Sequence, residues 1–169
     1  MKIILMSAFC LYMTVDNSYK DTYINTWKEI SLIESHRTGI PVSIILGQAI
    51  LESNYGNSEL AKRAKNHFGI KCKKEWLGGA FQKKDDDLNK KGQLIKSCFR
   101  AYDLDIDSFI DHSHFLMGRV CYNSILSNKK RDYHAWARSL QNCGYATDKK
   151  YAQKLIKIIE SHQLWKWDQ

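Results

Sequence analysis

Apolar positions recur with a helical period from Tyr23 to Thr38, where Ile24, Trp27, Ile30 and the Ile33–Glu34 pair are spaced for one face and Gly39 supplies a stop. Pro41 stands where a helix can begin, because the N–H it lacks has no partner in a first turn. Val42, Ile45, Leu46, Ala49 and Ile50 then form a tight apolar stripe, with Gly56 as its stop. Ser58 is placed to cap a short helix running to Lys65. After Asn66 the period changes: Phe68 to Cys72, the Gly78–Gly79 pair, Asn89, Gly92 and Leu94 to Tyr102 read as short strands and turns. Helical spacing returns at Asp105, an N-cap candidate, with Ile106, Phe109, Ile110, Leu116 and Met117 on one side and Gly118 as the stop. Two more helices are predicted over His134–Asn142 and Lys149–His162. The fold class is mainly α (α+β): a helical lobe facing a small β-hairpin lobe, with a cleft between them as the natural substrate groove.

The 169 residues suit one domain, read as residues 19–169, preceded by an N-terminal segment of residues 1–18. Met1–Lys2, the apolar stretch Ile3 to Met13 and polar Asp16–Asn17–Ser18 resemble a minimal signal peptide. A small-x-small cleavage site is missing and Phe9 before Cys10 spoils a lipoprotein-type site, so a buried terminal helix is the competing reading. The expected destination is the cell envelope, periplasmic or secreted. The apolar stretch is too short for a membrane span. If Cys10 leaves with this segment, four cysteines remain to pair in an oxidising compartment, and Cys72 with Cys98 would staple the two ends of the central segment. Cysteine spacing fits no zinc ribbon, and His112 and His114 point to different helix faces, so neither a metal nor a cofactor is expected.

The formal charge of +8 is local. Residues 1–61 carry a net −2 and residues 101–169 a net +2, whereas residues 62–100 hold twelve basic and four acidic side chains. A basic segment of this kind suits an acidic polymer, either nucleic acid or an envelope glycan with carboxylates. Helix-turn-helix, RNA-recognition and zinc-finger signatures are missing from the sequence, which argues against nucleic acid.

Glu52 breaks the local rule. It follows Ile45 and Ala49 at spacings of four and three, so a carboxylate extends an apolar helix face close to the helix C-terminus. Apolar neighbours and the helix dipole both raise a carboxyl pKa, and a carboxyl still protonated near neutral pH is a general acid. Glycosidic cleavage usually enlists a second carboxylate across the scissile bond, and Asp85, Asp86 and Asp87 are the only acidic cluster in the basic segment. A solvated turn explains three adjacent aspartates equally well.

Ala49-Ile50-Leu51-Glu52-Ser53-Asn54-Tyr55-Gly56, Asn66-His67-Phe68-Gly69-Ile70-Lys71, Cys98-Phe99-Arg100-Ala101-Tyr102 and Gly144-Tyr145-Ala146-Thr147-Asp148, with Tyr151-Ala152 following, resemble in order and spacing the bacterial peptidoglycan-cutting glucosaminidase family, glycoside hydrolase family 73. The flagellar-rod hydrolase is one member. The likeness runs over roughly residues 23 to 165. It implies a lysozyme-like fold and hydrolysis of the β-1,4 bond between N-acetylglucosamine and N-acetylmuramic acid. It also implies Glu52 as general acid, Asp86 as second carboxylate with Asp85 and Asp87 as neighbouring alternatives, and Tyr145 as the cleft tyrosine. Relatives often carry Glu at the second position, so Asp86 departs from the pattern. Tyr55, Phe68 and Trp76 are candidates for sugar stacking, although core packing is the commoner fate of such aromatics.

The expected partner is a peptidoglycan glycan strand, bound by a monomer. The alternatives are a muramidase or lytic transglycosylase on the same fold, which would cut the neighbouring bond, and a basic glycan-binding module without activity.

Overall fold

The computed structural model describes the backbone of residues 3–88, 91–127 and 131–168, and the side chains of residues 18–84, 91–127 and 131–168. Its helices are α1 (Ile3–Thr38), α2 (Val42–Ser53), α3 (Glu59–Ala64), α4 (Asp105–Met117), α5 (Asn123–Leu126), α6 (Tyr133–Asn142) and α7 (Tyr151–Ser161), with short 3-10 turns at Val120–Tyr122 and Leu164–Trp167. Strands β1 (Gly79–Leu88) and β2 (Leu94–Ala101) form one antiparallel hairpin between α3 and α4. The chain is therefore mostly helical with a small β-lobe. Helix α1 extends back past Tyr23 to Ile3. The side chains of the export segment read at residues 1–18 lie, but for Ser18, outside the described residues. Among the described residues no helix is long and apolar enough to cross a membrane.

Helix α2 is the axis of the helical lobe. Every residue from Val42 to Ile50 is buried, because α1, α6, α7 and the Leu164–Trp167 turn surround it. The stripe read from the sequence is thus an all-round apolar surface, interrupted by Ser43 and Gln48. Gly47 sets the approach of α7: a β-carbon there would stand 3.0 Å from both Leu155 Cδ1 and Ile159 Cγ1. Pro41 offers no side-chain cap, and the chain supplies one from its other end. Asp168 accepts hydrogen bonds from Ser43 N at 2.8 Å and Ser43 Oγ at 2.6 Å. The helix stops at Ser53, before the predicted Gly56, because Asn54, Tyr55 and Gly56 all take left-handed backbone with φ of 49°, 54° and 75°.

Two positions differ from the periodic reading for electrostatic reasons. Ile33 is 59% exposed whereas Glu34 is 2% exposed, since Arg37 donates to both carboxylate oxygens of Glu34, at 3.0 and 2.5 Å, and satisfies the buried charge. Asp105 is the first residue of α4 rather than its cap: Leu104 N donates to Asp107 Oδ2 at 3.1 Å. Asp105 is thereby left to accept from His67 Nε2 at 2.9 Å.

The β-lobe is built around Asn66. Its Oδ1 accepts from Phe68 N and Ile70 N, and its Nδ2 donates to the Ile70 and Arg100 carbonyls, which knots residues 66–70 into a fixed loop. Lys71 then bridges to Phe99, and Cys72 N donates to Cys98 O at 2.8 Å. Cys72 and Cys98 are disulfide-bonded with Cα atoms 5.3 Å apart. A second disulfide, Cys121–Cys143, ties the Val120–Tyr122 turn to the end of α6. The hairpin is regular from Gly79↔Ala101 to Lys84↔Lys96 and slips before Leu88↔Leu94. Arg100 anchors the lobe to α4 through Asp111, with Nη1 2.7 Å from Oδ1.

Candidate active site

A cleft of about 800 Å³ lies where the β-lobe meets the helical lobe. Helix α2 delivers Glu52 to it one residue before the helix ends. The Asn66-knotted loop brings Phe68 to Lys71, β1 brings Lys83, and β2 brings Phe99. Phe115 comes from the last turn of α4, followed by Arg119. Gly144, with φ of 68°, turns the chain so that Tyr145 to Thr147 close the remaining side. A separate groove of about 410 Å³, along α1 and the chain's end, shares none of these residues.

Glu52 is partly buried, and its Oε1 accepts a hydrogen bond of 2.8 Å from the Tyr151 hydroxyl. Burial pushes its carboxyl up to about 7; the Tyr151 bond acts in the opposite direction and only moderates the rise. The Tyr145 hydroxyl is buried without a hydrogen-bond partner among the described residues. Its ring lies 5.5 Å from that of Tyr151 and edge-on to Phe115. Burial first, and the neighbouring Glu52 next, hold Tyr145 well above the ordinary phenol range. Cations face these groups: Arg119 lies over Phe115 at 4.3 Å and Lys73 over the same ring at 5.8 Å, while Lys71 lies over Phe99 at 5.7 Å. The cleft can therefore donate a proton from Glu52 and attract negative charge. Among the described residues no three His, Cys, Asp or Glu side chains are grouped to hold a metal.

Of the residues singled out from the sequence, Glu52, Phe68 and Tyr145 meet in this cleft. Phe68 is 3% exposed and stacks on His112 with centroids 3.9 Å apart, so packing occupies most of its ring. Trp76 does not line the cleft. Its Nε1 donates to Gly79 O at 2.8 Å and its ring lies under the Arg100 guanidinium at 4.5 Å, which braces the base of the hairpin. Tyr55 is also elsewhere: the left-handed turn after α2 swings it towards α7, its hydroxyl 2.6 Å from His162 Nε2 and its ring edge-on to Tyr19 and Tyr23. The side chains of Asp85, Asp86 and Asp87 lie outside the described residues. Their backbone falls within the slip between Lys84 and Leu88, so strict alternation along β1 cannot sort the three.

Sequence reasoning missed the support of Glu52. Tyr151 donates to it, Gln48 Nε2 donates to the Tyr151 hydroxyl at 2.8 Å, and His112 Nε2 stands 3.1 Å from Gln48 Oε1. One signal was present: Gln48 is a polar residue four positions before Glu52, between the apolar residues Ile44–Leu46 and Ala49–Leu51. A second network holds the end of α2, where the Tyr23 hydroxyl lies 2.8 Å from His67 Nδ1 and 3.0 Å from Ser53 Oγ.

The family described as mannosyl-glycoprotein endo-beta-N-acetylglucosaminidase matches residues 28–164. The exo-glucosaminidase LytG of Bacillus subtilis is 36% identical over 136 residues, which are 75% of this chain and 46% of that protein. The peptidoglycan hydrolase FlgJ of Salmonella typhimurium is 30% identical over 133 residues, 76% of this chain and 42% of that protein. The chain thus spans less than half the length of these relatives. The crystallised catalytic domain of the autolysin Auto from Listeria monocytogenes superposes with a TM-score of 0.77 at 26% identity, covering 94% of this chain and 97% of that one.

Proposed function

The chain belongs to the mannosyl-glycoprotein endo-beta-N-acetylglucosaminidase family, and from that premise we propose that it hydrolyses peptidoglycan at the β-1,4 bond between N-acetylglucosamine and N-acetylmuramic acid, with Glu52 as the general acid. The observation that carries this reading is the Glu52 carboxyl in the cleft, pushed up to about 7 by burial, so that a substantial fraction still holds its proton at neutral pH. Glu52 gives its proton to the leaving glycosidic oxygen as positive charge develops on the neighbouring ring. An aspartate of the 85–87 stretch, Asp86 foremost, activates water from the hairpin side, or the substrate's own acetamido group assists. The Tyr145 hydroxyl, buried beside the cleft and without a partner among the described residues, would support the acetamido group or the developing charge once substrate opens its side of the cleft.

Lys71, Lys73, Lys83 and Arg119 line the same cleft, which suits the carboxylates of peptidoglycan stem peptides. A cell-envelope location follows from that substrate. KM on peptidoglycan with free stem carboxylates should rise with ionic strength, and should rise much less once those carboxylates are amidated. Equal salt dependence on the two substrates would remove the cationic wall from substrate recognition.

Digestion of purified sacculi, borohydride reduction and mass spectrometry test the bond. Reduced N-acetylglucosamine ends are expected. Reduced muramic acid or anhydro ends would reassign the chain to muramidase or transglycosylase chemistry, and intact sacculi would make it a binding module. An Asp86→Asn protein with full activity would favour acetamido assistance over a second carboxylate.

A further inference from the structure

Three buried side chains behind the cleft run in one line to Glu52. Tyr151 comes from the first turn of α7, Gln48 from the middle of α2 and His112 from α4, with separations of 2.8, 2.8 and 3.1 Å along the line. Gln48 and His112 are fully buried, so water cannot substitute for either at no cost. With Glu52 ionised and the Gln48 amide nitrogen towards Tyr151, chemistry fixes the direction of every bond. An ionised Glu52 can only accept, so the Tyr151 hydroxyl donates to it. The Tyr151 oxygen must then accept, which is what an amide N–H of Gln48 provides. The remaining Gln48 oxygen requires a donor, so His112 carries its proton on Nε2. His112 Nδ1 is consequently bare, and it has no hydrogen-bond partner among the described residues. Complete burial keeps this imidazole neutral, its pKa lowered to about 3.

We propose that His112, Gln48 and Tyr151 form a positioning relay that commits Glu52 Oε1 to accepting a hydrogen bond and so confines the acid's proton to Oε2. The inference rests on Glu52 being the general acid, and it adds which oxygen transfers the proton and which residues decide it. Among the described residues Oε1 has the Tyr151 bond and Oε2 has none, which leaves Oε2 for the substrate. Without the relay, both oxygens would share the proton and the carboxyl could rotate, so part of the population would present the wrong atom to the glycosidic oxygen. The titratable and charged groups that line the cleft with Glu52 or bond to it are Tyr151 from α7, Tyr145 from the turn before it, Arg119 after α4, Lys71 and Lys73 from the loop after α3, and Lys83 from β1. Of these, only Tyr151 hydrogen-bonds the carboxyl among the described residues.

Nitrogen-15 NMR of the unmodified protein, with His112 assigned through its contact with Phe68, reads the relay without relying on a variant. The expected result is a neutral Nε2–H tautomer from about pH 5 upward, with an Nε2 shift that inflects at the same pH at which Glu52 titrates. That inflection should vanish in Glu52→Gln. An Nδ1–H tautomer, or a shift that is flat through the Glu52 midpoint, would overturn the relay. Kinetics give the second reading. Tyr151→Phe removes one hydroxyl that favours the ionised carboxyl, so the alkaline limb of kcat should move up by about one pH unit while kcat falls about tenfold. Gln48→Met and His112→Phe, the latter keeping the ring against Phe68, should move the limb in the same direction by less, and His112→Gln should restore it. Loss of thermal stability with an unmoved limb would make the three residues structural only. A Glu52→Gln enzyme that kept its activity while the NMR coupling held in the unmodified protein would remove the acid assignment and leave the relay standing.

Discussion

Glu52→Gln should lower kcat on peptidoglycan by about two to four powers of ten, the usual contribution of a positioned proton donor, while the protein stays folded. The side chains are nearly the same size, and the Tyr151 hydroxyl can still donate to the amide oxygen. The stability consequence has a defined sign. The folded-state carboxyl sits near 7 against an ordinary value of 4.5, so the folded protein holds this proton more tightly than the unfolded chain does. Its contribution to stability is complete below about pH 4.5 and is lost as pH rises through about 7. Above pH 7 the enzyme carries a partly buried carboxylate with one donor, and the neutral amide removes that penalty. Glu52→Gln should therefore be at least as stable as the natural protein at pH 8, even as activity is lost. Activity of the unmodified enzyme should decline above pH 7 for the same reason. A variant that keeps its rate, or one that unfolds at pH 8, would contradict this account.

Breaking both disulfides should cost most of the folding stability. Cys72–Cys98 and Cys121–Cys143 close loops with sequence separations of 26 and 22 residues. Each constrains the unfolded chain by about 3 kcal/mol, and the pair together exceed the lower end of the ~5–15 kcal/mol that holds a domain folded. The two bonds also frame the cleft: one ties the Phe68–Lys71 loop to β2, and the other ties the turn after Arg119 to the residue preceding Gly144 and Tyr145. Replacing all four cysteines by serine should lower the thermal midpoint by about 15 °C, and dithiothreitol should do the same to the natural protein. A midpoint indifferent to reduction would show that neither bond contributes.

Much of the helical lobe could be read in advance because its determinants are local. Period-3.6 spacing marks α2, α4, α6 and α7, and the Ser58 side chain caps α3, accepting from Ala61 N at 3.1 Å. Glu52 was legible for the same reason, as a carboxylate on a face that should be apolar. Tyr145 was legible through the Gly-Tyr-Ala-Thr-Asp resemblance, with Gly144 supplying the positive φ that turns it into the cleft. Errors arose where side-chain pairing or backbone geometry overrode the periodic pattern. Arg37, one turn on, satisfied Glu34 in the interior and left Ile33 outside, and three successive left-handed residues after Ser53 carried Tyr55 to His162 instead of the cleft. Trp76 went under Arg100 because a cation over an indole and a hydrogen bond to Gly79 O both hold it there.

By itself, then, the sequence determined most of the helices, the placement of the surplus positive charge in one central segment, and Glu52 as a carboxylate where an apolar residue belonged. All of these follow from spacing within a few turns of chain. The tertiary structure decided what surrounds that carboxylate. Tyr151 lies 99 residues from Glu52, Gln48 lies 103 from Tyr151, and His112 lies 64 from Gln48. Hydrogen bonds depend on positions within a few tenths of an ångström, whereas periodicity records only which face a residue occupies. The packing of α7 and α4 against α2 brings these donors into line, and it is this packing that sets the protonation of Glu52.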